Sequence, residues 1–448
     1  MKNKINEAKI KHFDFAKKPK NPCFIMSIAK GIISFPDLKK RNAKITKEGM
    51  EELEGKPYIL LVNHSSMVDF NLMLKATHPY PVNNVMSLEG FNTYTEPLMR
   101  SLGVIGKRKY VSDVTLIRNI KYSLHTLKNI FVLFPEARYS LDGHTSYITP
   151  STAGLIKLMK VPVAVLQIKG NFITNPQWRK KNLFNYVEAH MKKLLDAEET
   201  KALSQEEIYA RILDAFEYDD YKWQYDNKIK LDDPERANGL HRLLYKCPAC
   251  GSEGKTDSQG DTLWCNECGK KWRQDEYGKL HALKGETEFG GHIPAWSAWE
   301  RECVREEIRS GTYHFEDEVR VETLPGSWKF YKHGRGKLIQ TPDGTRIECD
   351  SLYGKPAVIE KKPLALDSMH IEYDYLGRGD CVDISVLDDS YWCYLTKRDA
   401  ITKLSFATEE IYFYAKEKED ERKAAQKAAQ QAEREKKKAE AEAAKAEV

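Results

Sequence analysis

The sequence predicts an α/β domain, in which a mixed sheet is flanked by helices, followed by a small cysteine-bearing module, a β-rich C-terminal domain and a charged helical tail. Three observations predict this organisation. Between residues 58 and 170, short apolar runs of β type alternate with helical stretches. Two Cys-x-x-Cys pairs lie within residues 247–268. Strand-like runs fill residues 312–415, and the tail from Lys416 is almost wholly Ala, Glu, Lys, Gln and Arg.

Size, charge and cysteine usage narrow the function. A chain of 448 residues is long enough for several domains. Its 71 basic and 66 acidic side chains are too balanced to predict nucleic-acid binding. No apolar run approaches the roughly 20 residues of a membrane-spanning helix, and the lysine-rich N-terminus lacks a secretory pattern. Nine cysteines, four of them clustered, fit a reducing cytoplasm with one metal site.

The N-terminal segment, residues 1–55, is basic and contains one apolar island at 23–35. Phe24, Ile28 and Ile32 recur four residues apart, which predicts a helix with one apolar stripe. Lysines precede and follow this island, so the helix can dock on an anionic membrane surface. Packing against the next domain is the alternative, and one helix can do both.

The α/β domain is expected to span residues 56–240. Its predicted elements are a strand at 58–62, a helix to about 77, a strand at 103–109, a helix capped by Ser112 with an apolar face of Ile117, Ile120, Leu124 and Leu127, a strand at 130–134, a helix near 152–159 and a strand at 161–168. Such alternation places reactive residues at strand ends and in loops.

The first candidate site follows the strand at 58–62 and contains His64 and Asp69. Histidine suits base chemistry near neutral pH, and a carboxylate on its other ring nitrogen sets its tautomer and orientation. Along one regular helix the two side chains would point about 140° apart. They can therefore meet only if His64 lies in the strand-to-helix loop and Asp69 in the first turns of the helix. Taken alone, such a pair is more often structural.

Two further candidates lie at other strand ends. Pro135, Glu136 and Arg138 follow the buried strand at 130–134, and an arginine fork suits a phosphate. Gly106, Lys107 and Arg108 combine a glycine that permits close approach with successive cations. Read singly, the first group predicts a surface ion pair and the second a solvated basic strand end.

Together, the three blocks resemble the glycerolipid acyltransferase family, often called PlsC-like, over roughly residues 20–215. The resemblance covers the His-x4-Asp block at 64–69, a glycine-and-arginine block at 103–108, the Phe-Pro-Glu block at 134–140 and an apolar block with proline at 161–163. It implies that His64 removes a proton from a lipid hydroxyl, which attacks an acyl thioester directly, and that Asp69 orients His64. The residues around Glu136 and the cations at 107–108 would hold the acceptor's phosphate.

The resemblance also implies partners and no catalytic cofactor. The donor would be acyl-CoA or acyl carrier protein, and the acceptor a lysophospholipid or glycerophosphate at the inner membrane surface, reached by a cytoplasmic, peripherally associated protein. One departure concerns the acceptor. The family has Gly-Thr-Arg after the glutamate, whereas this chain has Ala137, Arg138 and Tyr139, so the arginine comes one place early.

The cysteine cluster predicts a zinc ribbon within residues 241–285. Cys247 and Cys250 form one Cys-x-x-Cys pair, and Cys265 and Cys268 form the second. Four thiolates make a closed tetrahedral site, whose usual role is structural because no position stays open for water. Trp264 and Trp272 are expected to cover its small core, although such ribbons also bind nucleic acid or protein.

The remaining chain is read as a β-rich accessory domain at 295–415 and a solvated helical or disordered tail at 416–448. Runs at 370–375 and 410–415 are predicted strands, and 342–344 a turn. Two other functional readings stay open. A degenerate acyltransferase domain would serve as a lipid or partner platform whose ribbon binds RNA or protein, or the same chemistry would use a non-phosphate alcohol or amine as acceptor.

Overall fold

The computed structural model describes residues 10–22, 34–91, 95–183 and 185–446, and the side chains of the last helix as far as residue 437. The apolar stripe of Phe24, Ile28 and Ile32 lies outside the described residues. Residues 34–40, which follow it, form a short helix. In the described part of the chain, no helix combines the length and the apolar composition needed to cross a bilayer.

A seven-stranded mixed sheet organises the first half of the chain, as the sequence predicts. Its strands are β1 (Lys44–Glu48), β2 (Ile59–Val62), β3 (Val82–Ser87), β4 (Val104–Lys107), β5 (Ile130–Leu133), β6 (Val163–Lys169) and β7 (Glu188–Leu195). Their order in the sheet is β1-β7-β6-β2-β5-β3-β4. The five strands from β6 to β4 are mutually parallel, whereas β7 runs antiparallel to β6. Their carboxyl ends therefore meet at one edge of the sheet.

Helices cover both faces of this sheet. They are α1 (Val68–Thr77), α2 (Glu96–Ser101), α3 (Val114–Lys121, continued by a π-helical turn at Tyr122–Leu127), α4 (Ser151–Met159), α5 (Asn171–Thr174), α6 (Ala197–Ala202), α7 (Gln205–Phe216) and α8 (Asp220–Asp226). Leu60 and Val62 pack with α1 on one face, and Ile59 and Leu61 pack with α3, α4 and α7 on the other. Strand β2 is therefore buried on both sides, which explains its unbroken apolar run.

The predicted elements of this domain are all present, with two corrections in α3. Ile120 and Leu124 of its predicted apolar face are buried, but Ile117 is exposed and Leu116 is buried. Asp113, not Ser112, caps α3, because its carboxylate accepts a hydrogen bond from the amide of Thr115 at 2.7 Å. Both residue types are favoured at this position, so the sequence alone did not separate two neighbouring candidates.

The second half of the chain contains two antiparallel sheets separated by helix α9 (Ile293–Arg309). The small sheet has strands β8 (Thr256–Gln259), β9 (Thr262–Cys265), β10 (Lys271–Gln274) and β11 (Leu280–Ala282). The larger one has strands β12 (Phe315–Thr323), β13 (Tyr331–Thr341), β14 (Gly344–Leu352), β15 (Lys355–Lys361), β16 (His370–Glu372), β17 (Cys381–Ser385) and β18 (Ser390–Tyr394). This β-rich part confirms the prediction, including the turn at 342–344 between β13 and β14.

The predicted strand at 410–415 is wrong, because these residues lie inside α10 (Ile401–Ala446). Ile401, Leu404 and Ile411 are buried at helical spacing, which anchors the start of this helix against the rest of the protein. The run Ile-Tyr-Phe-Tyr has high β propensity, but helical neighbours on both sides and tertiary packing override it. The predicted strand at 370–375 is shorter than expected and ends at Glu372.

Candidate active site

The carboxyl ends of β2, β5 and β6, which are adjacent in the sheet, bring polar residues together. His64 lies two residues after β2, Glu136 three residues after β5, and Asn171 two residues after β6. Loops at this edge of a parallel sheet commonly carry binding and catalytic groups. Glu136 contacts the backbone of His64 directly, and Asn171 contacts Asp69, the partner of the His64 ring.

His64 and Asp69 are in contact, in the arrangement that their spacing required. His64 lies in the loop before α1 and Asp69 in its first turn, and the distance from Nδ1 to Oδ2 is 3.1 Å. The same oxygen accepts hydrogen bonds from the amides of Ser65 at 2.6 Å and Ser66 at 2.9 Å. Asn171 Nδ2 donates to the other carboxylate oxygen. Asp69 is thus a fully buried carboxylate with donors on both oxygens.

The second ring nitrogen of His64, Nε2, makes no hydrogen bond within the described part of the protein. Its side chain is 22% exposed, and its ring centroid lies 4.2 Å from those of both Phe134 and Tyr139. Because Nδ1 faces a carboxylate, we assign the proton to Nδ1, which leaves a lone pair on Nε2. A lone pair on Nε2 can accept a proton from a bound hydroxyl.

Glu136 holds the backbone of His64. Its Oε1 accepts from the His64 amide at 2.9 Å and its Oε2 from the Ser146 amide at 2.7 Å. The Ser140 amide in turn donates to the His64 carbonyl at 2.7 Å. Burial raises the pKa of Glu136 to about 7, although the two backbone amides favour its ionised form. Pro135, also buried, begins the same turn. Both carboxylate oxygens of Glu136 are therefore engaged within the protein.

Arg138 points away from His64, toward helix α10. Ala137, at the place of the family glycine, adopts the left-handed φ of 57°, so the turn keeps a conformation that glycine favours. The Arg138 guanidinium then reaches Glu409, with Nη2 2.8 Å from Oε1. Arg301 of α9 pairs with the other oxygen of Glu409 at 2.7 Å. We predicted that Arg138 holds a substrate phosphate; in the structure its guanidinium forms a buried ion pair with Glu409.

Two members of the block at 106–108, Gly106 and Arg108, are also engaged within the protein. All five donors of Arg108 are used, by the carbonyls of 324, 325, 387 and 388 and by the hydroxyl of Ser390, at 2.8–3.1 Å. At Gly106, a Cβ would lie 2.4 Å from the ring of Phe13, so the missing side chain makes room for protein rather than for a ligand. Lys107 is half-buried, and its pKa is lowered by burial. Among the described residues it has no ion-pair partner.

Two site residues were missed by the sequence analysis. Asn171 contacts Asp69, and Tyr139 packs on the His64 ring. Asn171 comes three residues after the predicted strand at 161–168, so the rule that parallel strands end at one edge would have marked it. Tyr139 occupies the place of the family arginine, but nothing in the sequence predicts that its ring packs on His64.

The four predicted metal ligands converge. The Sγ atoms of Cys247, Cys250, Cys265 and Cys268 all lie within 4.8 Å of one another, with Cys247–Cys268 at 3.7 Å and Cys250–Cys265 at 3.8 Å. A tetrahedron of thiolates at the usual zinc–sulfur distance has edges of about 3.8 Å. The spacing of the thiols therefore fits a tetrahedral zinc ion, and four protein ligands leave no position for water.

The backbone supports this metal site. Gly251 and Gly269 both have φ of 75°, and their amides donate to the carbonyls of Cys247 and Cys265 at 2.8 and 3.0 Å. Each Cys-x-x-Cys pair thereby closes a tight turn that points two thiols the same way. Trp272 is buried against Trp296 of α9, with ring centroids 4.9 Å apart. The ribbon thus shares its core with the helix that follows it.

Fold and site together define an α/β domain with a histidine–carboxylate pair at the carboxyl edge of its sheet. Residues 44–169 match the family model described as Acyltransferase, so this segment is a domain of that family, as the resemblance predicted. A solved structure, the 1-acyl-sn-glycerophosphate (LPA) acyltransferase PlsC from Thermotoga maritima, is similar with 17% identity and a TM-score of 0.35, over 42% of this chain and 75% of that one. That likeness is too distant to carry an argument. No curated protein matches the chain.

Proposed function

We propose that the protein transfers a fatty acyl group from acyl-CoA or acyl carrier protein to a hydroxyl of a glycerophosphate lipid of the 1-acylglycerol-3-phosphate type. The observation that carries this proposal is the His64–Asp69 pair, in which Asp69 is buried, the His64 side chain is 22% exposed and Nε2 is unpaired among the described residues. The acyltransferase family of residues 44–169 supplies the reaction class. The enzyme would work in the cytoplasm as a peripheral membrane protein.

The proposed chemistry is general-base catalysis. His64 Nε2 accepts the hydroxyl proton while the hydroxyl oxygen attacks the thioester carbonyl carbon. The carbon–sulfur bond then breaks, and the imidazolium returns its proton to the departing thiolate. Asp69 stabilises the imidazolium and keeps the proton of the resting ring on Nδ1.

A covalent serine intermediate is not supported by the contacts of the neighbouring hydroxyls. Ser66 Oγ accepts a hydrogen bond from the Val68 amide at 3.2 Å. Ser65 Oγ is buried without a hydrogen-bond partner in the described part of the chain. Neither hydroxyl is paired with His64, as an activated serine nucleophile would be. Direct attack by the acceptor is therefore the simpler mechanism.

The identity of the acceptor rests on fewer cations than we predicted. Arg108 and Arg138 are bound within the protein, which leaves Lys107 as the available cation of the predicted set. Three strand spacings, from β2 through β5 and β3 to β4, separate the strand ends by about 14 Å. An acceptor whose hydroxyl lies at His64 would have to reach across much of that distance for its phosphate to contact Lys107. This observation favours, as a second candidate, a non-phosphate alcohol or amine acceptor with the same chemistry.

Product analysis by mass spectrometry tests both candidates. Lysophospholipids and phosphate-free alcohols and amines would be offered together, with acyl-CoA and acyl carrier protein donors. We expect acyl transfer that falls by about 10³-fold in His64→Ala, because the base is removed. His190→Ala is the matched control, since that histidine is exposed on β7 beside Glu48.

Undiminished turnover in His64→Ala would contradict the role of the base. If the unaltered protein transfers acyl groups from neither donor and binds nucleic acid with a steep salt dependence, the degenerate binding-platform reading replaces the enzyme.

A further inference from the structure

We propose that Asn171 is a positioning residue of the His64–Asp69 pair and that Asp220 fixes Asn171 in place. The inference rests on the proposed function, because it assigns these two residues to the same base. Both residues lie beyond the segment 44–169 that matches the acyltransferase family. The support that they provide is thus additional to the family motifs.

The two carboxylate oxygens of Asp69 receive hydrogen bonds from different groups. Its Oδ2 receives three donors, from His64 Nδ1 and from the amides of Ser65 and Ser66. Its Oδ1 receives one, from Asn171 Nδ2. Both Asp69 and Asn171 are completely buried, so water cannot replace this donor without rearrangement. Loss of the amide would leave a buried carboxylate oxygen without a partner, and the carboxylate would be free to turn away from His64.

The backbone on both sides of Asn171 is held by Asp220. The carboxylate of Asp220 accepts from the amides of Gly170 and Phe172, each at 3.0 Å. These two residues flank Asn171, so one carboxylate holds the backbone on both sides of it. Gly170 has φ of 82°, and a Cβ there would lie 2.7 Å from the ring of Trp223. The turn is therefore held in one conformation, from which the short Asn171 side chain reaches Asp69.

Asp220 is itself completely buried and lies at the start of α8. Its amide donates to the carbonyl of Gly143 at 2.9 Å, which ties α8 to the loop that follows the Glu136 turn. Hydrogen bonds thus connect Asp220, the turn at 170–172, Asn171, Asp69 and His64 in sequence. Partners of this kind orient reactive side chains without touching substrate.

The test compares Asn171→Leu, which removes the amide at similar volume, with the unaltered protein. We expect kcat to fall about 10- to 100-fold while KM for acceptor and donor stays within about twofold. We also expect the low-field proton signal of His64 Nδ1–H, measured by NMR, to shift or broaden. Asn119→Leu is the matched control, because Asn119 is buried on α3 and donates to the Phe15 carbonyl at 3.0 Å, remote from Asp69. Its kcat and His64 signal should remain unchanged.

The NMR signal separates this inference from the proposed function. If no donor supports acyl transfer in the unaltered protein, the function fails, while the His64 signal still decides the role of Asn171. An unchanged signal and unchanged kcat in Asn171→Leu would overturn the positioning role.

Asn171→Asp is isosteric and serves if the leucine variant does not fold. Its new carboxylate would face Asp69, with His64 and Asp220 as the neighbouring charged groups. We expect low activity at pH 8 and a rising ratio to the unaltered protein as pH falls, because a shared proton restores the donor. Full activity of Asn171→Asp at pH 8 would refute the inference.

Discussion

At the scale of single residues, two carboxylates hold His64 in different ways. Asp69 binds the ring through Nδ1, and Glu136 binds the backbone amide, so neither the tautomer nor the position of the ring is left to chance. The sequence suggested the first contact through its spacing. For Glu136, the family resemblance suggested a role in phosphate binding. Its actual partners are backbone amides, which a sequence does not identify.

Glu136 should make stability depend on pH. Its pKa rises from the ordinary 4.5 to about 7, so between these values the folded state retains a proton that the unfolded state has lost. Stability therefore falls as pH rises through this window, by about 3 kcal/mol in total. In Glu136→Gln this part of the pH dependence should vanish. Urea denaturation between pH 4.5 and 8 measures it.

Glu54→Gln, at an exposed position, is the control for this series and should reproduce the original pH dependence. An equally steep fall of stability in Glu136→Gln would show that other buried carboxyls account for it.

At the scale of elements, the four cysteines of the ribbon converge as predicted, whereas the strand predicted at 410–415 is part of helix α10. Two Cys-x-x-Cys pairs specify their own geometry, because four thiols of one short segment need only a local turn to meet. The run at 410–415 has no such local constraint. Its aromatic residues suit a strand, yet burial of Ile401, Leu404 and Ile411 along one face makes it helical.

Loss of one metal ligand should destabilise the ribbon and the helix that packs on it. Cys265→Ser is expected to lose bound zinc and to lower the free energy of unfolding by on the order of 3 kcal/mol or more. Because Trp272 and Trp296 share one core, tryptophan fluorescence should report the change. Metal analysis and thermal unfolding are the measurements.

Cys303→Ser provides the comparison, since Cys303 lies on α9 outside the cluster and should retain zinc. Unaltered zinc content in Cys265→Ser would contradict the four-thiolate site.

At the scale of the whole molecule, arginines that resemble a substrate site instead join the two halves of the chain. Arg108 ties the end of β4 to the β-rich sheet, and Arg138 ties the turn beside His64 to α10. The second half of the chain therefore holds residues at the carboxyl edge of the mixed sheet, where His64 also lies. Arg138, which comes one place earlier than the family arginine, is paired with Glu409, and His64 and Asp69 remain in contact.

Arg108→Lys tests this structural role. A lysine donates at most three hydrogen bonds and lacks the planar fork, so several carbonyls would lose their donor. We expect the free energy of unfolding to fall by about 2–4 kcal/mol, with KM for the acceptor unchanged. A raised KM with unchanged stability would restore Arg108 to the substrate site. The control is Arg273→Lys at an exposed position. Lys109→Arg is not suitable, because Lys109 is paired with Glu89 and His370.

Local patterns in the chain were sufficient for the mixed sheet and its helices, the meeting of His64 with Asp69, and the four-cysteine site. Each depends on periodicity or spacing over a few residues, where sterics and hydrogen-bond geometry allow few solutions. Residues distant in sequence settled the rest. The partners of Arg108, Arg138, Glu136 and Asn171 are backbone groups, carboxylates and one hydroxyl that only packing brings near, because a side chain binds whichever group the fold places within its reach.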